Sequence, residues 1–464
     1  MKIKVQPFSF CAILCKRFPK IYLEGKRKMK AKKVFLAALS LFLLLSVALF
    51  GCSSSNSSND SGNKSSDDQV TIDIFQFKVE FKDQFEKLAK QYEKEHPGVK
   101  INITTVGGGE DYGPALKSKF ASGDEPAIFN VGGPQDVEDW LDKLADLSDT
   151  KAASLALEGT LDGVKKGDQI LGLPYNQEGY GLIYNKEIFK KAGIDPKNIK
   201  SFSDLENAVK KLDKEKKSLG IDAVFAFPAK ETWVTGLHLS NVFLAPEFDS
   251  NVVNAFNAKT VEFKYGDAMK KLIDLQNKYS VQPTVSLDYS QQVEELFSTG
   301  RVAIIQQGNW VYNSIADIDP ELAEKNIGIL PIPIEGYKED VIPVGVPMYW
   351  AVNKNKDEKV VKESKKFLDW LYTSDEGKEI VLNEFKFIPA YDGYDSSEIS
   401  DPLSKEIYDY AQQGKTIGWV FMGYPTGWGM DKLGVNIQKY VSGKMKWDEL
   451  IANSKKEWEE ARNK

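Results

Sequence analysis

The chain has 464 residues, 61 Lys and Arg against 67 Asp and Glu, and a net charge of −6 with its two histidines neutral. Eleven of the basic residues precede Cys52 against Glu24 alone, so the remainder carries about −16, an acidic body that argues against nucleic acid as a partner. After Cys52 the only arginines are Arg301 and Arg462, which disfavours a ligand with several anionic groups, because planar bidentate recognition of carboxylate or phosphate falls to arginine.

The chain opens with a leader. Lys26, Arg27, Lys28, Lys30, Lys32 and Lys33 form a basic region, a mostly apolar run follows, and Gly51 precedes Cys52; residues 1–51 therefore read as a secretory signal. Met29 stands where an ordinary signal begins, making it a second candidate start and residues 1–28 superfluous. Leu49-Phe50-Gly51-Cys52 resembles the lipobox of bacterial lipoproteins, although Phe50 is bulkier than usual there. That resemblance implies cleavage before Cys52 and its lipidation; a retained membrane-spanning helix is the competing reading. Cys11 and Cys15 lie in the leader, so a chain starting at Cys52 has no thiol left for disulfides.

Residues 52–69 hold the lipidation site and a polar tract too poor in apolar residues to bury a core, a flexible spacer. Val70 to Phe77 alternates as a strand. A helix bearing Phe81, Phe85, Leu88 and Tyr92 follows and stops at His96-Pro97-Gly98. Val99–Ile103 and Pro126–Val131 are the next strands, giving βαβαβ and a mostly parallel sheet. Further on, Leu182-Ile183-Tyr184 is strand-like, and Ser203 and Glu206 have capping-box spacing before a helix carrying Leu205, Val209 and Leu212. Val293, Leu296 and Phe297 share a helix face ended by Gly300, Val302–Ile305 is a buried strand, and Val360–Tyr372 is helical.

No motif marks a reaction. Carboxylates are plentiful, but no local signature selects a glycosidase pair. His96 and His238 stand far apart without a cysteine; His96 belongs to a helix end and His238 to the apolar run Leu237-His238-Leu239, so both read as structural. Gly107-Gly108-Gly109 lacks dinucleotide-fingerprint spacing and reads as a loop. No metal and no cofactor are expected. The sharper signals are amide and aromatic residues at strand ends, where open α/β sheets bind ligands: Gln76, Phe77 and Lys78; Asn130 and Gly132-Gly133; and Gln307-Gly308-Asn309-Trp310. Sugars suit them, because C–H faces pack on rings and hydroxyls bind amides and carboxylates.

Longer segments carry a resemblance. Leu173-Pro174-Tyr175-Asn176-Gln177-Glu178-Gly179-Tyr180 through Lys186, Ile188 through Ile194, Gly300-Arg301-Val302-Ala303-Ile304 into Gly308-Asn309-Trp310, Leu368-Asp369-Trp370-Leu371 and Ser374-Asp375-Glu376-Gly377 together resemble the family-1 extracellular solute-binding proteins of ATP-binding-cassette importers, especially the maltose- and multiple-sugar-binding members. The resemblance implies an α/β, two-lobe periplasmic-binding-protein-like fold with three crossing segments, near Asn176–Gly181, Ile327–Ile332 and Tyr372–Lys378. The lobes would comprise residues 70–178 plus 330–374 and 179–329 plus 375–464. It further implies a sugar contact at Glu178, stacking at Trp310 and a polar contact at Asn130. Gln177, Trp233, Asn309, Met348, Tyr424 and Trp428 complete the candidate ligand set, with Trp233 open between rim and core.

The implied protein is a monomeric receptor, lipid-anchored at Cys52 on the outer face of the cell membrane, that captures a sugar or oligosaccharide and delivers it to the transmembrane subunits of a permease. Two alternatives stand beside it: a secreted carbohydrate-active enzyme using Glu178 and a second acid, and the same fold holding a solute such as a polyamine.

Overall fold

The computed structural model describes residues 69–106 and 112–463. The signal, Cys52, most of the spacer and Gly107-Gly108-Gly109 lie outside them. In chain order the strands are β1 Val70–Gln76, β2 Val99–Thr105, β3 Ile128–Val131, β4 Lys165–Lys166, β5 Gln169–Ile170, β6 Leu173–Pro174, β7 Glu178–Asn185, β8 Ala223–Phe225, β9 Val302–Gly308, β10 Ile327–Leu330, β11 Ile342–Gly345, β12 Tyr349–Val352 and β13 Thr416–Ile417.

They build two main sheets. The first runs β2-β1-β3-β12-β6; β1 lies parallel to β2 and β3, while β12 runs antiparallel to β3. Helices cover both faces, so successive residues must both be apolar: Ile74 and Ile128 enter one core, their neighbours Phe75 and Phe129 the other. The helix Lys82–Glu95 closes one face with Phe85, Leu88 and Tyr92, and His96 at its end stacks on Tyr92 at 4.0 Å.

The second sheet runs β13-β11-β7-β9-β8, with β10 also paired to β7. Every residue of β7 and of β9 is buried, so this pair is the spine of a second, larger core that includes Leu205, Phe243, Ile304 and Trp458. The helix Phe202–Leu219 packs here, and its start corrects the sequence reading. The capping box is Ser201 with Asp204, not Ser203 with Glu206. Phe202 packs against this core, so the helix must begin early enough to include it, and Ser201 is left extended to accept the Asp204 N–H.

Sheet membership also differs from the expected lobe limits. β11 belongs to the second sheet, whereas Phe385, Phe387, Ala390 and Tyr391 pack in the core of the first. The chain thus returns to the first sheet after Gly345 rather than at residue 330, and stays beyond residue 374. Among the described residues no helix is long and apolar enough to cross a membrane.

Candidate functional site

The turn after β1 is held from within. Gln76 Oε1 accepts from the Lys78 N–H at 2.6 Å, and Gln76 Nε2 donates to Thr105 Oγ1 at 2.7 Å. Gln76 is fully buried, so it shapes the turn and has no face for a ligand. The turn aims Lys78 at the second sheet, where its ammonium pairs with Glu178, the first residue of β7; the two side chains are 2% and 3% exposed. Asn176 Nδ2 donates to the same oxygen, Glu178 Oε1, at 3.3 Å. These bonds fall on Oε1, which leaves Oε2 as an acceptor for a hydroxyl. Half-buried Glu80, two residues past Lys78, has its carboxyl raised by burial, against the pull of Lys78.

The second sheet supplies an aromatic wall. Trp310 follows β9; its Nε1 donates to Gln307 Oε1 at 2.9 Å and its ring folds back over Gly308, where a Cβ would stand 2.2 Å from the indole. Only glycine fits there. Around it stand Trp233 at 6.3 Å between centroids, His238 at 5.1 Å and Tyr180 at 6.4 Å, and the Lys78 ammonium lies 6.0 Å from its ring. His238 is the centre of the wall, stacked on Tyr180 at 4.6 Å and close to Trp233, Trp419 and Phe421. Burial among these rings, and then the Lys78 charge, push its imidazole down to about 3. His238 was expected to be structural, and the widened helical turn Val234–Leu239 holds it between Trp233 and Trp310.

Asn130 and Gly132 come from the end of β3. Asn130 is 1% exposed, and both polar atoms of its side chain lack a partner among the described residues; its backbone N–H donates to the Tyr112 hydroxyl. A buried amide without partners is costly, so a ligand or water is the natural complement. Gly132 N–H donates to Asp136 at 2.7 Å, and burial raises that carboxyl. Met422, packed on the second core, faces this turn.

The remaining candidates divide. Phe77 is half-buried and sits edge-on to Tyr112 and Tyr175. Trp233 is half-buried, its Nε1 bonded to Glu231 at 2.9 Å. Asn309 spends its amide on the frame, accepting from the Gly179 N–H and donating to Ser404 Oγ. Gln177 does likewise, bonded through its backbone to Ile388 and through Nε2 to Pro389 O. Met348, half-buried, accepts the Tyr175 N–H through its carbonyl.

Tyr424 and Trp428 are corrections. Both are buried in the second core, packed on each other and on Trp458, with the Trp428 N–H donating to Ser454 O and the Tyr424 hydroxyl beside Ser240 Oγ. Packing on a helix at the far end of the chain turned them inward. The sequence reading did not place His238, Trp419, Phe421 or Glu80 beside these candidates; only the aromatic content of 416–424 hinted at two of them. Among the described residues no cluster of His, Cys, Asp and Glu could hold a metal ion.

The sequence profile of the bacterial extracellular solute-binding proteins matches residues 78–378. The melibiose/raffinose/stachyose-binding protein MelE of Bacillus subtilis is 25% identical over 344 residues, 73% of this chain and 77% of its own length. The arabinooligosaccharide-binding protein of the same organism is 25% identical over 404 residues, 83% and 87% of the two chains. Among solved structures, a chitin oligosaccharide binding protein matches with a TM-score of 0.72 at 23% identity, covering 86% of this chain and 100% of that one. RafE in complex with raffinose matches at 0.68 and 18% identity, covering 85% and 100%. Likeness at that identity establishes the two-lobe α/β fold.

Proposed function

The chain belongs to the family of bacterial extracellular solute-binding proteins, and from that premise we propose that it captures a neutral sugar or oligosaccharide between its two sheets and presents it to a membrane permease. The observation that carries this reading is the pairing of two unlike walls. One holds Trp233, Trp310 and His238 side by side, with Glu178 on the same sheet; the other brings Lys78 and the unpartnered amide of Asn130. Rings for C–H faces opposite polar groups for hydroxyls suit a sugar. Relatives named for melibiose, raffinose, stachyose and arabinooligosaccharides point the same way.

Capture proceeds without chemistry. A sugar touching both walls is bound fully only when they approach, so it shifts the population toward the closed form; one touching a single wall shifts nothing. The lobes in this reading are residues 70–176 with 346–391, and 178–345 with 392–463. A lipid on Cys52 and the spacer after it would hold the receptor at high local concentration beside its permease.

The test is a thermal-shift screen of purified protein from residue 53 onward against raffinose, stachyose, maltotriose, xylotriose, arabinotriose and chitotriose, followed by calorimetry, because a ligand that prefers the native state raises apparent stability. Saturable binding with the sugar recovered intact supports the reading. Turnover products would replace it with a carbohydrate-active enzyme, and no response to any sugar would remove it.

A further inference from the structure

The His238 imidazole is placed unlike a core histidine. It is half-buried, and among the described residues neither ring nitrogen has a hydrogen-bond partner; the bond from the Tyr180 hydroxyl goes to its carbonyl oxygen, at 2.8 Å. A histidine kept for packing normally satisfies its nitrogens. Five rings fix this one: Tyr180 nearly parallel at 15°, Trp233 edge-on at 86°, and Trp310, Trp419 and Phe421 tilted, all with centroids within 5.5 Å. The ring cannot swing away to find a partner in the protein.

A second polar group in the same wall is also unpaired. The Trp419 indole N–H is buried and has no acceptor, in a side chain 6% exposed, and its ring is the one beside His238. Two uncommitted polar groups in the wall that also holds Trp310 suit hydroxyls as well as C–H bonds.

We propose that His238 is a specificity-determining ligand contact: its neutral imidazole offers one N–H donor and one bare nitrogen acceptor to hydroxyls of the sugar seated against Trp310. Burial among the rings, and then the Lys78 charge, favour the neutral form, and only that form has the acceptor. A hydroxyl pair can both donate to and accept from such a ring, whereas a sugar whose epimeric hydroxyl points elsewhere covers a ring nitrogen without pairing it, and sites of this kind discriminate strongly. This inference rests on the sugar-binding reading above.

The experiment compares wild type with His238→Phe, which keeps the plate and removes both nitrogens, and His238→Asn, which restores one donor and one acceptor. His96→Asn is the control outside the site. Calorimetry uses the tightest binder among raffinose, stachyose, maltotriose, xylotriose, arabinotriose and chitotriose, with the others as competitors. The expected result is roughly a tenfold or larger loss of affinity in His238→Phe, flattened discrimination among the six sugars, and partial recovery in His238→Asn. Affinity and discrimination within about twofold of wild type in His238→Phe would return the residue to the packing of the wall. If His238→Phe does not fold, His238→Gln takes its place with His238→Asn: two amides of different reach that bind all six sugars like wild type would equally overturn the contact. Failure of every sugar on wild type would remove the sugar reading itself, an outcome separate from both.

Discussion

Lys78 and Glu178 form an ion pair across the two sheets, with side chains 2% and 3% exposed. Taking two charges out of water is expensive, and losing one partner leaves the other buried and uncompensated. Lys78→Met is therefore expected to lower stability by about 3 kcal/mol or more, while Lys78→Met with Glu178→Leu regains most of it. Urea unfolding of the single and double variants checks this; a double variant no more stable than the single would show that the pair is not the cause.

Trp310 and Trp233 line one wall but differ in burial, so their truncations separate binding from folding. Trp310 is 5% exposed and anchored to Gln307; Trp310→Ala is expected to cost about 3 kcal/mol of stability and at least about tenfold in sugar affinity. Half-buried Trp233, whose N–H reaches Glu231, should lose a similar affinity on change to alanine with a stability loss of under about 1.5 kcal/mol. Unchanged affinity in either variant, measured by titration, would take that ring out of the site.

The alternating and helical patterns carried the fold, because β1 to β3 and their helices are local elements whose apolar spacing reports directly which face is buried. Trp310 and Asn130 were candidates for a related reason, because strand ends are fixed by the same patterns, whereas Glu178 came from the family resemblance alone. Tyr424 and Trp428 failed because a glycine-rich aromatic segment looks the same in sequence whether it faces a cleft or, as here, a tryptophan thirty residues downstream. His238 was read as structural. Its leucine neighbours announced a core, and nothing in their order shows that a widened helical turn projects the imidazole between tryptophans drawn from residues 233, 310 and 419. The roles of Gln76 and Asn309 were hidden too, since their partners Thr105 and Ser404 are remote in sequence.

Gly133, after β3, touches Met422 from the second core so closely that a Cβ would stand 2.9 Å from the Met422 Cβ and 3.1 Å from its carbonyl oxygen. Gly133→Ala should therefore resist the approach of the two walls while leaving each core intact. Sugar affinity is expected to fall about fivefold to tenfold, because the form in which the two walls meet must accommodate the added methyl. Small-angle scattering with and without sugar should show a smaller compaction than in wild type. Equal affinity would mean that this contact plays no part in closure.

Asp401 links the frame of the site to pH. It is 1% exposed and caps the helix Pro402–Gln412, accepting from the Ser404 N–H at 2.8 Å, while its Oδ2 has no partner among the described residues; Ser404 in turn receives the Asn309 amide beside Trp310. Burial, opposed by the bonds from Ser404, raises its carboxyl from 3.8 to about 6. The native state thus holds this proton more tightly than the unfolded chain, so its contribution is full below about pH 4 and is lost as pH rises through 6. His238 acts with the opposite sign: its native value of about 3 lies below the ordinary 6.5, so its contribution is full above pH 6.5 and falls away in acid. Asp401→Asn keeps the cap and removes the first effect alone. The stability difference, wild type minus variant, should fall by about 3 kcal/mol between pH 4 and pH 7, a shift of about two units at 1.4 kcal/mol each. Urea unfolding at four pH values across that range measures it. A constant difference would mean that Asp401 titrates alike in the folded and unfolded chain, and that its unpaired oxygen is solvated in the native state.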